Sequence, residues 1–304
     1  MSPESTLAET AVRSAARPYR DALLEGIPIR QEHLTVAGLP TGVLVGGDGP
    51  PLVLLHGPGE SAVNWRWVVP DLIGAHRLVA PDLPAHGRTE TPDPMDAEVV
   101  LGWLAELIER TCPSPPVVVG HVLGGAIAAR LAARRRHGLA GLVLVDSLGL
   151  GRFRPSLRFL LALLGFQARP TEWTYELFMG QCAHDRAALQ DRMGGLWPVF
   201  VRYNLALARG PKAKAAGRLL RSLGLPRIPP EELDRIEVPT ALIWGRNDRA
   251  TKLEVARSVS DRYGWPLHVI EDAADDPPRD RPEAFVRTLR AILAAPPFSA
   301  ARSS

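Results

Sequence analysis

The chain has few cysteines and no long apolar run, and both features bear on where in a cell the protein is expected. Its two cysteines, Cys112 and Cys182, lie far apart among the 304 residues. Because thiols are so few, and no charged and then apolar leader opens the sequence, a reducing cytoplasm is the expected location. No run approaches the ~18 to 20 apolar residues of a membrane-spanning helix, so no membrane partner is expected.

A strong charge of either sign is also absent. The formal net charge is +3, and the basic residues are scattered apart from one run at 134–136. That run follows an apolar helical pattern, so we interpret it as a solvated helix end that complements the helix dipole. No nucleic-acid partner is therefore expected.

Cofactor-binding and metal-binding motifs are missing as well. The sequence contains no glycine-rich phosphate loop, no dinucleotide fingerprint, and no cysteine and histidine cluster with metal-ligand spacing. No cofactor and no metal are therefore expected. What is present is an ordinary globular composition, with 46% hydrophobic and 23% charged residues.

Short apolar runs alternate with helical patterns along most of the chain, which is typical of a parallel sheet. A short helix is predicted near 7–24, and a hairpin is predicted over 29–45. Further strands are predicted at 51–55, 77–80, 116–119, 141–145, 240–244 and 267–270. Helices are predicted at 65–73, 97–111 and 282–293. The fold class is therefore α/β.

The stretch 147–236 interrupts this alternation. It carries amphipathic helical patterns without any β-branched run, which predicts a helical insertion. An insertion after a central strand lies over the carboxyl ends of the strands, where ligands bind. We therefore interpret 147–236 as a lid between two parts of one core, 1–146 and 237–304. Residues 1–28 are interpreted as an N-terminal extension of the first part.

The segment 116–128 has the pattern of a buried strand, a sharp turn bounded by glycines, and a helix of small residues. This is the physical form of a nucleophile elbow, whose pattern G-x-S-x-G places a serine at the tip. Here the pattern is Gly120-His121-Val122-Leu123-Gly124. The isopropyl group of Val122 can neither attack a carbonyl carbon nor transfer a proton.

Four motifs stand in an order that resembles the α/β-hydrolase fold superfamily over roughly residues 30–295. They are Leu-Leu-His-Gly at 54–57, Ala-Pro-Asp-Leu-Pro-Ala-His-Gly-Arg-Thr at 80–89, the elbow at 120–124, and Leu-Ile-Trp-Gly-Arg-Asn-Asp at 242–248. Arg-Pro-Glu-Ala-Phe at 281–285 is similar to the start of the family's last helix. The resemblance implies a mostly parallel, doubly wound sheet with a lid, and a catalytic serine, acid and histidine in that chain order.

The resemblance allows each member of this triad to be sought here. Asp248, at the end of a predicted strand, matches the family's carboxylate. The family's Gly-His-x-Pro falls on residues 274–277, so Asp275 stands where the histidine is expected. No histidine follows His268, which lies within a predicted strand. The resemblance therefore implies that Val122 and Asp275 replace the serine and the histidine.

The oxyanion site implied by the resemblance is altered too. One donor would be the backbone N–H of Leu123, directly after the elbow tip. The other would come from the residue after His56 and Gly57, which is Pro58 and has no N–H. One donor is therefore missing unless the loop shifts to present the N–H of Gly59, and Gly57 and Gly59 are the loop's candidates for anion binding. Conventional ester or amide hydrolysis is not expected.

Four side chains are candidates for proton transfer. The resemblance would bring Asp275 close to Asp248, and two neighbouring carboxylates cannot both ionise easily, so one could act as a general acid or base. The imidazoles that the resemblance places near the pocket are His121 and His56. The alternatives are that Asp248 caps a helix, that Asp275 belongs to a solvated acidic loop, and that both histidines are structural.

Aromatic side chains of the predicted lid, with one near the oxyanion loop, predict a bulky apolar ligand. The alternative is that they only pack against one another. These candidates for substrate binding are Trp65, Trp173, Tyr175, Phe178, Trp197 and Phe200.

Three functions remain open. The preferred one is a cofactor-independent, non-hydrolytic enzyme of secondary metabolism, which catalyses carbon–carbon bond formation by Michael-type addition, a cyclisation or a lyase reaction on a polyketide-like or aromatic compound. The second is a protein that binds a hydrophobic small molecule without turnover. The third is a hydrolase with a displaced nucleophile, for which the candidates are Ser61, Thr89 and Cys182. A homodimer is left open.

Overall fold

The structure is a computed structural model that describes residues 16–134 and 138–301. Residues 7–15 of the predicted N-terminal helix lie outside these ranges, as do Arg135 and Arg136 of the basic run. Residues 16–24 are helical and form helix α1.

In the described ranges, eight strands form one sheet. They are β1 (Arg30–Val36), β2 (Leu39–Gly46), β3 (Pro51–Leu55), β4 (Arg77–Pro81), β5 (Val117–His121), β6 (Gly141–Val145), β7 (Thr240–Gly245) and β8 (Leu267–Ile270). Their order across the sheet is β1-β2-β4-β3-β5-β6-β7-β8. The pairs β1·β2 and β2·β4 are antiparallel, and the other neighbouring pairs are parallel. The predicted α/β fold with a mostly parallel sheet is confirmed.

Helices connect the strands and follow the last of them. They are α2 (Val69–Leu72), α3 (Ala97–Thr111), α4 (Leu123–Arg134), α5 (Leu157–Ala168), α6 (Glu172–Cys182), α7 (Arg186–Met193), α8 (Leu196–Ala208), α9 (Ala213–Leu219), α10 (Pro230–Leu233), α11 (Leu253–Tyr263), α12 (Pro277–Asp280), α13 (Pro282–Ala294) and α14 (Phe298–Ala301). A 3-10 turn, Ala62–Trp67, precedes α2, and a π-helical turn, Leu220–Gly224, follows α9. Within the described residues, none of these helices combines the length and the apolar character needed to cross a membrane.

The central strands β3, β5, β6 and β7 are buried along their whole length, which is why they form continuous apolar runs in the sequence. Successive side chains of a strand point to opposite faces. In β5, Val117 and Val119 therefore join one apolar cluster, with α13, while Val118 joins another, with α3 and α4. Helices on both faces make the sheet doubly wound.

Helices α5 to α10 lie between β6 and β7, where the sequence predicts the insertion. Apolar side chains of α5, α6 and α8 belong to the same buried cluster as those of α13, so the insertion packs on the core. The bounds 147–236 and the role as a lid remain predictions.

The carboxyl ends of β5, β6 and β7 meet at one edge of the sheet. The register pairs His121 with Val145, and Val145 with Ile243. Residues that directly follow these strands are therefore brought together, and this edge is where α/β sheets bind ligands.

Candidate functional site

Val122 forms the tip of a sharp turn between β5 and α4. Its φ angle is 46°, in the left-handed region that β-branched residues rarely adopt. Its N–H donates to the Val145 carbonyl oxygen at 2.9 Å, and its own carbonyl accepts from the Leu148 N–H at 3.2 Å. A Cβ on Gly124 would lie 2.4 Å from the Leu55 carbonyl oxygen, so only glycine lets the helix approach the strand this closely. The backbone of a nucleophile elbow is thus present.

The side chain of Val122 is 7% exposed and packs in a small apolar cluster. Ala126 and Leu148 complete the buried part of this cluster, and Phe153, Leu220 and Leu225 pack against it. The tip of the turn therefore presents an apolar surface.

Asp248 follows β7 and is held by three hydrogen bonds. Its Oδ1 accepts the N–H groups of Ala250 at 2.6 Å and Thr251 at 2.9 Å, and its Oδ2 accepts the Thr251 hydroxyl at 2.7 Å. Burial outweighs these bonds and raises the pKa of Asp248 to about 6. The carboxyl group can therefore exchange a proton near neutral pH.

Two further carboxyl groups interact with Asp248. Asp146 follows β6 and is fully buried, and its Oδ1 accepts the Gly245 N–H at 2.9 Å. Asp275 lies between β8 and α12. Burial, and then the charge of Asp248, raise the pKa of both Asp146 and Asp275 well above the usual range. The three groups, here named the carboxyl trio, therefore share protons instead of ionising together.

Sequence reasoning missed Asp146. A signal was available, because a carboxylate directly after a buried parallel strand lies at the ligand-binding edge, as Asp248 does after β7.

His121 lies beside the trio but is not directed at the elbow tip. Its Nε2 donates to the Asp275 carbonyl oxygen at 2.6 Å, and its Nδ1 is 3.6 Å from Glu60 Oε2. Burial opposes a charge on His121, but Asp276 and Glu60 outweigh burial and raise the pKa of His121 to about 9. Burial likewise opposes ionisation of Glu60, but His121 lowers the pKa of Glu60 to about 2. His121 is therefore a cation at neutral pH, paired with Glu60.

A buried arginine extends this pair. Arg279 Nη1 is 2.9 Å from Asp276 Oδ2 and 4.0 Å from Glu60 Oε1. Sequence reasoning singled out neither Glu60 nor Arg279, because each is far along the chain from the histidine that it supports. Within the described ranges, no group of histidine, cysteine and carboxylate side chains has the arrangement of a metal site.

The loop after β3 uses its backbone donors within the fold. The Gly57 N–H donates to Glu60 Oε2 at 2.9 Å, and the Gly59 N–H donates to His86 Nε2 at 3.1 Å. The Leu123 N–H belongs to the first turn of α4, where backbone donors lack partners within the helix. Of the predicted oxyanion donors, the Leu123 N–H is therefore the one whose position fits a nucleophile elbow, whereas the N–H groups of Gly57 and Gly59 are already hydrogen-bonded.

His56 is fully buried, and both nitrogens of its ring form hydrogen bonds with backbone groups. Its Nδ1 donates to the Gly57 carbonyl oxygen at 2.7 Å, and its Nε2 accepts the Leu83 N–H at 2.9 Å. Burial lowers the pKa of His56, which keeps the ring neutral as this hydrogen-bond pattern requires. The structure thus places His56 as a brace of the loop.

The three candidate displaced nucleophiles are all protonated groups that take part in hydrogen bonds. Ser61 Oγ accepts the Tyr203 hydroxyl at 2.8 Å, and Thr89 Oγ1 donates to the Asp82 carbonyl oxygen at 2.6 Å. Cys182 is buried, and its thiol interacts electrostatically with the Asp275 carboxyl group. Burial, and then Asp275, raise the pKa of Cys182 well above the usual range, so its thiol is not a thiolate at neutral pH.

Five of the six predicted aromatic contacts point into the molecule. Trp65 packs edge-on against His121 with ring centroids 6.5 Å apart, and Phe178 stacks on Phe166 at 5.7 Å. Trp173 is 69% exposed and lies on the outer surface. Largely buried with Trp65 are Tyr175, Trp197 and Phe200.

A pocket of about 380 Å³ opens beside Asp248. Its lining is mostly charged, in contrast to the expected apolar pocket. Besides Asp248 it consists of Ser156, Arg246, Arg249, Lys252, Leu253, Glu254 and Arg257. Of the carboxyl trio, Asp248 therefore borders a space that water can enter.

The sequence is similar to that of several characterised proteins. Residues 52–288 match the family model described as the alpha/beta hydrolase family. The 2-hydroxy-6-oxo-2,4-heptadienoate hydrolase of Pseudomonas putida is 26% identical over 271 residues, which are 85% of this chain and 94% of that protein. The magnesium-chelatase 30 kDa subunit of Rhodobacter capsulatus is 30% identical over 246 residues, which are 75% of this chain and 76% of that protein.

A solved structure shows the same architecture. The 2-hydroxy-6-oxo-6-phenylhexa-2,4-dienoate hydrolase from Rhodococcus superposes with a TM-score of 0.74 at 26% identity, covering 88% of this chain and 99% of that one.

The preferred sequence-based function is overturned by these relatives. The dienoate relatives from Pseudomonas putida and Rhodococcus are named as hydrolases, so the expected non-hydrolytic carbon–carbon bond formation, cyclisation or lyase reaction of secondary metabolism is wrong. The physical reason is that loss of a serine removes only the covalent route, because a carboxylate can still activate water. Hydrolysis without the elbow serine fits the relatives better.

Proposed function

This chain belongs to the alpha/beta hydrolase family, and from that premise we propose that it hydrolyses a small carbonyl compound with water as the nucleophile. The attacking water is activated by the carboxyl trio, in place of the serine and histidine that the family resemblance implies. The observation that carries this proposal is the trio itself, whose members hold raised pKa values at the ligand-binding edge of the sheet.

In this proposal Val122 occupies the place of the serine and Asp275 the place of the histidine. The left-handed φ of Val122 supports the first assignment, because the elbow backbone is kept while the hydroxyl is absent. The interaction of Asp275 with Asp248 supports the second, because the family's acid and base are partners.

The reaction needs one proton acceptor and one proton donor. Water forms a bond to the carbonyl carbon while its proton passes to the carboxylate of Asp248, the member of the trio that ionises near pH 6. The bond to the leaving group then breaks, and the leaving group takes a proton from Asp275, whose raised pKa keeps it protonated. The Leu123 N–H and the N-terminus of α4 stabilise the oxyanion between these steps.

The test uses purified protein with p-nitrophenyl acetate, p-nitrophenyl butyrate and 2-hydroxy-6-oxo-6-phenylhexa-2,4-dienoate, the compound named for a relative. Replacing Asp275 with asparagine removes the proton donor, and we expect kcat/KM to fall by about 10² or more. Asp272→Asn is the matched control, because Asp272 is an exposed acid of the same loop. For the wild type, kcat/KM should rise with pH as the trio loses its shared protons, from about pH 6 upwards.

A fluorophosphonate probe and a Cys182→Ala variant test the nucleophile. We expect no labelling by the probe and full activity of the cysteine variant, because water attacks directly. Labelling of a serine, or loss of activity in Cys182→Ala, would contradict a water nucleophile and favour a displaced one. Binding of all three compounds without turnover would instead identify a binding protein.

A further inference from the structure

Large apolar side chains of this chain are mostly buried, but several on one helical hairpin are not. Helices α5 and α6 pack against each other, and each leaves apolar side chains exposed at helical spacing. Trp173 is 69% exposed and Leu157 is 68% exposed. The exposed set, here named the hairpin face, consists of Leu157, Leu160, Leu161, Leu164, Trp173 and Leu177.

The contact between α5 and α6 is formed by other side chains than those of the hairpin face. Phe178 of α6 packs between Phe159 and Phe166 of α5, with ring centroids 5.7 Å away in both cases. Tyr175 adds a further contact to Phe166 at 5.4 Å. The inner sides of both helices are occupied in this way, while the outer leucines and Trp173 stay exposed. Clustered exposed apolar residues of this kind mark a binding surface.

Exposed arginines lie on α5 and next to both of its ends in the chain. Arg152, Arg154, Arg158 and Arg169 are exposed, and none of them forms a salt bridge with another residue that the structure describes. Residues 147–171 contain no aspartate or glutamate. The acidic residues of the hairpin, Glu172 and Glu176, both lie on α6, and Glu176 is paired with Arg186 at 3.3 Å. The α5 side of the surface is therefore apolar and positively charged.

We propose that the hairpin face docks on an anionic lipid surface. Leucines and a tryptophan can enter the boundary between head groups and acyl chains, while arginines at their rim meet the lipid phosphates. A second copy of this chain suits the face less well, because a symmetric contact would set these arginines against one another. Docking of this kind lies on the membrane and needs no spanning helix.

The experiment is co-sedimentation of the purified chain with vesicles. Phosphatidylcholine vesicles are compared with vesicles that also contain phosphatidylglycerol, at low and high salt. We expect binding to the anionic vesicles that weakens with salt, and a blue shift of tryptophan emission that Trp173→Phe abolishes. Leu161→Asp should weaken binding about tenfold or more, because a buried leucine is lost. Arg158→Ala/Arg169→Ala should weaken it roughly fivefold for each arginine.

The matched control is Arg235→Ala/Arg287→Ala, which removes the same charge from exposed positions outside the hairpin. It should bind as the wild type does, and circular dichroism should show that all variants are folded. Absence of vesicle binding by the wild type, or equal binding by Leu161→Asp, would overturn the proposal. A dimer that Leu161→Asp dissociates, together with no vesicle binding, would assign the face to self-association instead.

Discussion

The backbone of Val122 is strained, because a β-branched residue at a φ of 46° is destabilised by roughly 1–3 kcal/mol. The surroundings nevertheless hold the turn, through the hydrogen bonds of Val122 to Val145 and Leu148. Gly120 contributes as well, because a Cβ there would lie 2.6 Å from the Cα of Gly125. A serine at position 122 would therefore inherit a preformed elbow.

This geometry predicts that two substitutions rebuild a serine hydrolase. In Val122→Ser/Asp275→His, the retained Asp248 would orient the new imidazole, which would activate the new hydroxyl. We expect hydrolysis of p-nitrophenyl acetate about 10² times faster than in either single variant, since a general base contributes at least that much. A fluorophosphonate probe should label the double variant.

The single variants are the controls for this prediction. Val122→Ser lacks a base and Asp275→His lacks a nucleophile, so neither should react with the probe. A folded double variant that stays unlabelled would show that position 275 is not aimed at position 122, and the assignment of both positions would fail.

Helix α1 is joined to the rest of the fold by a buried ion pair. Arg20 Nη1 lies 3.1 Å from Asp82 Oδ2 and donates to the Tyr203 hydroxyl of α8 at 3.1 Å. Asp82 Oδ1 also accepts the Ala62 N–H at 2.8 Å. Burial alone would raise the pKa of Asp82, but the charge of Arg20 together with His56 and the backbone N–H groups of Arg88 and Ala62 outweighs burial and lowers it. One guanidinium therefore connects α1, the loop after β4 and the insertion.

Removal of this guanidinium should be costly. Arg20→Ala leaves the Asp82 carboxylate buried without its cation, and we expect the free energy of unfolding to fall by about 3–5 kcal/mol. Urea denaturation measures the loss. Arg17→Ala is the matched control, because Arg17 is on the same helix but forms only an exposed pair with Asp21 at 3.6 Å. That variant should change stability by no more than roughly 0.5 kcal/mol, and equal losses in the two variants would refute the role of the buried pair.

The elements show where sequence reasoning succeeds. The strand predicted at 141–145 is found at Gly141–Val145, and the closing helix predicted at 282–293 is found at Pro282–Ala294. Both follow from local periodicity, since a buried parallel strand and an amphipathic helix each leave a repeat in the sequence.

Less of the candidate site than of the fold could be predicted from the sequence. The carboxyl edge of the sheet could be predicted, and with it the region of Val122 and Asp248. Glu60 and Arg279 could not, because their role depends on distant segments of the chain meeting around His121. The hydrolytic activity for which the relatives are named was not the preferred prediction either, because the absence of a serine at position 122 points away from it.

At the scale of the whole molecule, several buried titratable side chains lie at the edge of the sheet, and their pKa values change on folding. The pKa of Asp248 is raised to about 6 from an ordinary 3.8, so the folded state holds this proton more tightly than the unfolded state does. The free energy of unfolding therefore falls as the pH rises from about 4 to about 6. Glu60 has its pKa lowered to about 2 from 4.5, so its contribution is lost as the pH falls through that range.

His121 makes the clearest prediction, because the pH range over which it titrates is separate from those of Asp248 and Glu60. Its pKa is raised from 6.5 to about 9, so its contribution is fully present below pH 6.5 and is lost as the pH rises through about 9. Urea denaturation should show the free energy of unfolding falling by up to about 3 kcal/mol over this interval. His121→Gln should be less stable at pH 6.5 but should lose this slope.

His268→Gln is the matched control for this slope. Burial lowers the pKa of His268, so its ring is neutral in both states above pH 6.5 and the wild-type slope should persist. An unchanged slope in His121→Gln would mean that His121 is neutral in the folded protein. The charge balance between His121, Glu60 and Asp276 would then have to be reversed, with the proton on a carboxyl group at the candidate site.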